Sequence, residues 1–120
     1  MKVKTNGDFA RFQKYFEKYK SKFGVTGYRT YFKHEPLDTG FASITIDQDN
    51  MVATVKLNNN LSYEDGLFHN VKRSAKHEAL HLLVGRLECL AGNRYCRHSE
   101  IYEATEEIVF KLEELIPDLK

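Results

Sequence analysis

The segment at residues 70–92 of the chain reads NVKRSAKHEALHLLVGRLECLAG. Its apolar residues recur at steps of three and four, which predicts a helix from about residue 67 or 70 to about residue 90. The sequence Ala91-Gly92-Asn93 then ends the helix. The predicted apolar face consists of Leu80, Leu83, Val84, Leu87, Leu90 and Ala91.

Inside this helix lies the pentapeptide His77-Glu78-Ala79-Leu80-His81. At about 100° per residue, a four-residue step places His77 and His81 about 40° apart and one turn up, so both imidazoles can reach one ion. Glu78 points about 100° away from His77, where a carboxylate can take a proton from metal-bound water. The spacing therefore predicts a metal site with a base beside it.

A second helix is predicted near the N-terminus, where Asn6-Gly7-Asp8 offers capping residues and Gly24 ends the periodic segment. Aromatic residues recur in this segment at alternating three- and four-residue steps, which indicates a face that packs in the core. These residues are Phe9, Phe12, Phe16, Tyr19 and Phe23.

Between these two predicted helices, apolar residues recur at every second position, as in a strand. Segments rich in β-branched and aromatic residues at about 28–32, 41–46 and 51–57 predict three strands, separated by turn clusters at 36–40 and 47–50. The short connections predict an antiparallel meander.

A last helix is predicted to begin near Ser99, ahead of a Glu-rich turn, and to end before Pro117. Its apolar face consists of Ile101, Ala104, Ile108, Leu112 and Leu115. The predicted fold class is α+β: an N-terminal helix, a three-stranded antiparallel meander, and two helices that carry the metal site.

Length and composition limit the class of protein. A chain of 120 residues, 42% hydrophobic and 29% charged, suits one globular domain spanning residues 1–120 and is too apolar for a disordered chain. No apolar run approaches the roughly 20 residues of a membrane-spanning helix, and the N-terminus does not resemble a signal peptide. Two cysteines cannot form a disulfide framework, so a cytoplasmic location is expected.

The net charge of +1 conceals segregated charges. Residues 1–33 carry nine basic and two acidic side chains, whereas residues 99–120 carry two basic and seven acidic ones. A basic first helix could attract nucleic acid, although a solvated helix face explains the same pattern. A DNA-associated protein therefore stays open as an alternative.

The HEALH motif on a helix, preceded by three strands and followed by a Glu-rich helix, resembles the zincin metallopeptidases. The small size is similar to that of SprT-like and phage-encoded zincin-like proteins. This resemblance implies a zinc ion held by His77 and His81, Glu78 as the general base, and hydrolysis of peptide bonds. A metzincin would carry Gly and His where this chain has Val84 and Leu87, so that branch is excluded.

The segment after the motif resembles the gluzincin arrangement, in which a Glu from a later helix completes a His₂Glu site. On the predicted helix, Glu107 lies roughly 120° from the centre of the apolar face, an edge position that suits a ligand meeting the histidines across a helix pair. Glu107 is the predicted third ligand. Glu103, one turn earlier on the same side, is the alternative ligand or a carboxylate that supports one.

The sequence therefore predicts a minimal zinc-dependent peptidase that acts on a peptide or protein, held by a sheet edge in the 51–57 segment. One alternative is a catalytically inactive, metal-stabilised interaction module. The other is the DNA-associated protein.

Overall fold

The computed structural model of the protein describes residues 7–61 and 70–118. The elements are α1 (Asp8–Lys22), β1 (Arg29–Glu35), β2 (Ala42–Asp47), β3 (Val52–Asn58), α2 (Val71–Ala91) and α3 (His98–Leu115). The predicted α+β class is therefore confirmed: the described residues form one helix, three strands and two helices in that order. The capping prediction for Asn6 falls outside the described residues.

Helix α1 packs its aromatic face into the core, as its spacing predicts. Phe12 and Phe16 are fully buried, and both rings meet Phe32 of β1 edge-on, with centroids 6.5 and 5.5 Å away. Helix α2 approaches α1 through Ala75 and Ala79, which are also fully buried. Small residues on α2 therefore leave room for the large aromatic side chains of α1.

The strands do not form an antiparallel meander, so that prediction is wrong. The sheet is mixed, with the order β1-β3-β2: β3 pairs parallel with β1 and antiparallel with β2. Six residues separate β1 from β2. Because an extended chain of that length spans up to about 20 Å, it can cross the two strand spacings, about 10 Å, that lie between β1 and β2.

Asn58 fixes this connection over the end of β3. Its side chain is buried; it accepts a hydrogen bond from Leu37 N at 3.2 Å and donates to Gly40 O at 2.9 Å. Its backbone N–H donates to Phe41 O at 2.8 Å. The connection is thereby bonded to the central strand, which holds β2 on the far side of β3.

One face of the sheet is covered and the other faces solvent. The covered face includes cross-strand rows such as Phe32–Val55–Ile44, and the core cluster unites these rows with α1 and α2. β3 supplies fully or almost fully buried Ala53, Val55 and Leu57. The most apolar strand is therefore central, and among the described residues β1 and β2 form the edges. The predicted sheet edge at 51–57 is accordingly wrong.

Helix α2 is rotated relative to its predicted apolar face. Its buried residues include Ala75, Glu78, Ala79, Leu82 and Leu83, whereas Leu80 is 39% exposed. The alanines set this rotation because they allow the closest approach to α1 and the sheet. As a result Glu78 turns inward while the two histidines lie on the exposed side.

Helix α3 buries fewer side chains than α2, and Ala104 is its one fully buried residue among those described. Leu112 and Leu115 pack partly against the core cluster. None of the described helices combines the length and the apolar character needed to cross a bilayer.

Candidate metal centre

His77 and His81 meet on the exposed side of α2. Their Nε2 atoms are 3.2 Å apart, and their ring centroids are separated by 4.9 Å with the planes at 73°. Both side chains are exposed, so solvent reaches the paired nitrogens. The predicted convergence of the two imidazoles on one point is present in the fold.

Glu78 completes this cluster from the buried side. The side chain is 4% exposed, and one of its carboxylate oxygens lies with the two histidine nitrogens in a group whose members are all within 4.8 Å of one another. In the described parts of the chain, no other three His, Cys, Asp or Glu side chains come close enough to hold a metal ion. Two imidazoles are ligands that zinc commonly takes, and a carboxylate beside them can act on a metal-bound water without being a ligand.

Burial raises the pKa of the Glu78 carboxyl, and the nearby His77 and His81 lower it by less. No hydrogen-bond donor among residues 7–61 and 70–118 binds this carboxylate. The residue as a whole is nearly buried, but its carboxylate oxygens open into the adjacent groove; among the described residues, the buried side-chain atom without a partner is Nε2 of His34. A carboxylate in this position can accept a proton.

The three side chains open into a groove of about 700 Å³ between β2 and α2, called here the β2–α2 groove. Ala42, Ser43, Ile44 and Ile46 of β2 form one wall. The groove continues toward the start of α2, where Phe41, Ala42 and Ser74 line it together with His77. An edge strand therefore lies along the whole cluster.

A glycine sets the width of the groove at the far side of the cluster. A Cβ placed on Gly85 would lie 3.1 Å from Ile46 Cδ1, tighter than ordinary van der Waals contact. The helix therefore touches the strand at this point, and the groove opens beside it. The sequence contains this glycine, but its role depends on the strand order, which local patterns do not give.

The structure does not bring Glu107 or Glu103 to the histidines. The Arg86 guanidinium donates to Glu107 Oε2 at 2.9 Å and to Glu103 Oε1 at 3.2 Å, and Lys111 lies 3.6 Å from Glu107. Arg86 projects about 140° around α2 from His81, so α3 meets α2 on a different side. The third metal ligand therefore stays a prediction.

Two groove residues were not singled out in the sequence. Glu88 lines the groove two turns beyond His81, and Arg73 lines it one turn before His77. Their spacing on α2 could have marked them, because steps of four and seven residues return to the same side of a helix. Two further histidines of the chain lie elsewhere in the sequence. His69 falls outside the described residues, and His34 is half-buried, with its ring stacked on Phe9 at a centroid distance of 4.8 Å.

Two basic residues of α1 interact with other side chains of the protein. Lys20 is 9% exposed and donates to Thr30 Oγ1 at 3.4 Å, and Arg11 pairs with Asp8. The nucleic-acid alternative stays a prediction.

Comparison of the chain with protein-family models, with curated proteins and with solved structures found no match.

Proposed function

We propose that the chain is a zincin-like, zinc-dependent hydrolase that cleaves peptide bonds. His77 and His81 hold the metal, and Glu78 is the general base. The observation that carries the proposal is the 3.2 Å separation of the two histidine Nε2 atoms.

That distance fits shared coordination of one ion. Two nitrogens at about 2.0–2.1 Å from one zinc ion, at a tetrahedral angle, lie about 3.3 Å apart. The histidines therefore need little movement to bind zinc together. A direct hydrogen bond between the rings gives a similar distance, and zinc titration distinguishes the two arrangements.

Glu78 has the position and the environment of a general base. It lies within the same 4.8 Å group as the histidine nitrogens, and none of its described neighbours donates a hydrogen bond to its oxygens. When bound, zinc supplies Lewis-acid chemistry, lowering the pKa of a water molecule toward neutrality and polarising a carbonyl group. Glu78 takes the proton of the attacking water and returns it to the leaving amine.

The edge of β2 suits an extended peptide. Among the described strands, β2 pairs with β3 alone, so its outer backbone groups are available for pairing with a further strand. The groove wall beside that edge contains Ser43, Ile44 and Ile46. A peptide bound there passes His77 and His81.

The decisive experiment compares zinc-supplemented wild type with Glu78→Gln on a mixture of unstructured peptides, with cleavage followed by mass spectrometry. We expect wild type to cleave and Glu78→Gln to lose at least about 100-fold in rate, because an amide cannot accept the proton. The matched control is Glu113→Gln, an exposed Glu of α3 that should retain wild-type activity.

Equal activity in wild type and Glu78→Gln would contradict the assigned base. Zinc binding without cleavage of any peptide would contradict the hydrolase and favour the metal-stabilised interaction module.

A further inference from the structure

The β2–α2 groove has opposite charges at its two ends. Glu88 lies seven residues beyond His81, about 20° away around the helix and about 10 Å along it. Arg73 lies four residues before His77, about 40° around and about 6 Å along. Both are exposed groove residues.

The described residues provide no partner for either charge. In the described parts of the chain, no ion pair or side-chain hydrogen bond engages the Arg73 guanidinium or the Glu88 carboxylate. By contrast, Arg86 on another side of the same helix binds two glutamates. Within the described structure, the groove therefore has Arg73 on one side of the histidines and Glu88 on the other, each without a charged partner.

The direction of β2 determines which end of a bound peptide lies near Glu88 and which lies near Arg73. Ile46, near the end of β2, lies over Gly85, whereas Ala42, at its start, shares the groove wall with Ser74. β2 thus runs in the same direction as α2. A peptide that pairs antiparallel with β2, the commoner arrangement of neighbouring strands, enters at Glu88 and leaves at Arg73.

We propose that this groove selects peptides by charge polarity. Positively charged side chains N-terminal to the cleaved bond lie over Glu88, and negatively charged side chains C-terminal to it lie over Arg73. At about 3.3 Å per residue, the two subsites lie about three and two residues from the metal centre. This inference rests on the proposed function and names the substrate class of the same site.

The expected effect is moderate because both charges face solvent. An exposed ion pair changes an equilibrium by about two- to fivefold. Two subsites acting together should separate peptides of opposite polarity by about tenfold, and high salt should remove the difference.

The test uses two fluorescent peptides of identical composition with blocked ends. One has two lysines in its N-terminal third and two glutamates in its C-terminal third, and the other has these pairs exchanged. Affinity is measured by fluorescence anisotropy on Glu78→Gln protein, with zinc and again with EDTA, because neither subsite is a metal ligand. The exchange variant adds Arg73→Glu and Glu88→Lys, and the control variant adds Lys22→Glu and Glu113→Lys outside the groove.

We expect tighter binding of the peptide with N-terminal lysines, reversal of that order in the exchange variant, and no reversal in the control. The inference would be overturned if neither peptide bound, if both bound equally, or if the peptide with N-terminal glutamates bound more tightly. It would also be overturned if the exchange variant kept the same preference as the unexchanged protein. Cleavage without polarity would leave the proposed hydrolase in place. If binding depended on charge polarity but wild type cleaved no peptide, the result would contradict the proposed hydrolase and leave the charge selection intact.

Discussion

Glu78 is the residue at which stability and chemistry conflict. Its side chain is almost fully buried beside Ala79 and Leu82, but it has no hydrogen-bond donor in the described structure. Its oxygens open into the groove, so the cost to folding comes from partial desolvation, which also raises the pKa of the carboxyl. An apolar residue at this position would serve the core better, so the carboxylate indicates a role outside packing.

Glu78→Met should therefore stabilise the metal-free protein. The change keeps the length of the side chain and removes a partly desolvated charge, and we expect the free energy of unfolding to rise by about 1 kcal/mol. Urea titration in EDTA measures this difference. Glu88→Met, at an exposed position of the same helix, should have little effect, and a loss of stability in Glu78→Met would show that the carboxylate has a partner.

At the scale of elements, the contact of α2 with β2 shapes the groove. Gly85 allows the helix to touch Ile46, whose Cδ1 would lie 3.1 Å from an added Cβ. A small shift of this flexible side-chain end can accommodate Ala, and the better helix propensity of Ala, about 1 kcal/mol, offsets the strain. A branched side chain has no such room.

Gly85→Val should consequently destabilise the protein by about 1–3 kcal/mol, whereas Gly85→Ala stays near neutral. Combining Gly85→Val with Ile46→Ala should recover part of the loss, because the second change removes the clashing atoms. Thermal unfolding of the four proteins measures the coupling. Additive effects of the two substitutions would show that helix and strand are not in contact at this point.

The contact of α3 with α2 is electrostatic as well as apolar. Arg86 binds Glu103 and Glu107, and these two carboxylates raise the pKa of its guanidinium above the ordinary value. All three side chains are at least one-third exposed. Each ion pair is therefore worth about 0.2–1 kcal/mol.

Glu107→Gln tests whether this residue anchors α3 or binds the metal. Because Glu107 lies at Arg86, we expect a fall in melting temperature of a few degrees with zinc affinity unchanged. Glu103→Gln, which removes a longer contact from a more exposed side chain, should have a smaller effect. Release of zinc from Glu107→Gln would restore it as the third ligand.

Across the whole molecule, local patterns predicted the elements but not their arrangement. The spacing of His77 and His81 is a property of one helix, so the sequence was sufficient to bring them together. The order β1-β3-β2 depends on Asn58 bonding the connection across β3, and a six-residue connection is equally compatible with adjacent strands. The rotation of α2 depends likewise on its packing against α1.

The same longer-range effects determine where the side chains of α3 and the ends of the groove lie. Pairing of Glu107 with Arg86 follows from the side on which α3 meets α2, and a helical wheel of α3 alone does not contain that information. The groove charges Arg73 and Glu88 become significant only when β2 is known to be the edge strand beside them.

The central claim is that His77 and His81 bind one metal ion together. The direct measurement is isothermal titration of the EDTA-stripped protein with zinc, followed by metal analysis, for wild type, the double variant His77→Ala/His81→Ala and the control His34→Gln. We predict about one zinc per chain in wild type and control, as a single tetrahedral site requires, and none in the double variant. Equal zinc binding in all three proteins, or no binding in wild type, would contradict the account.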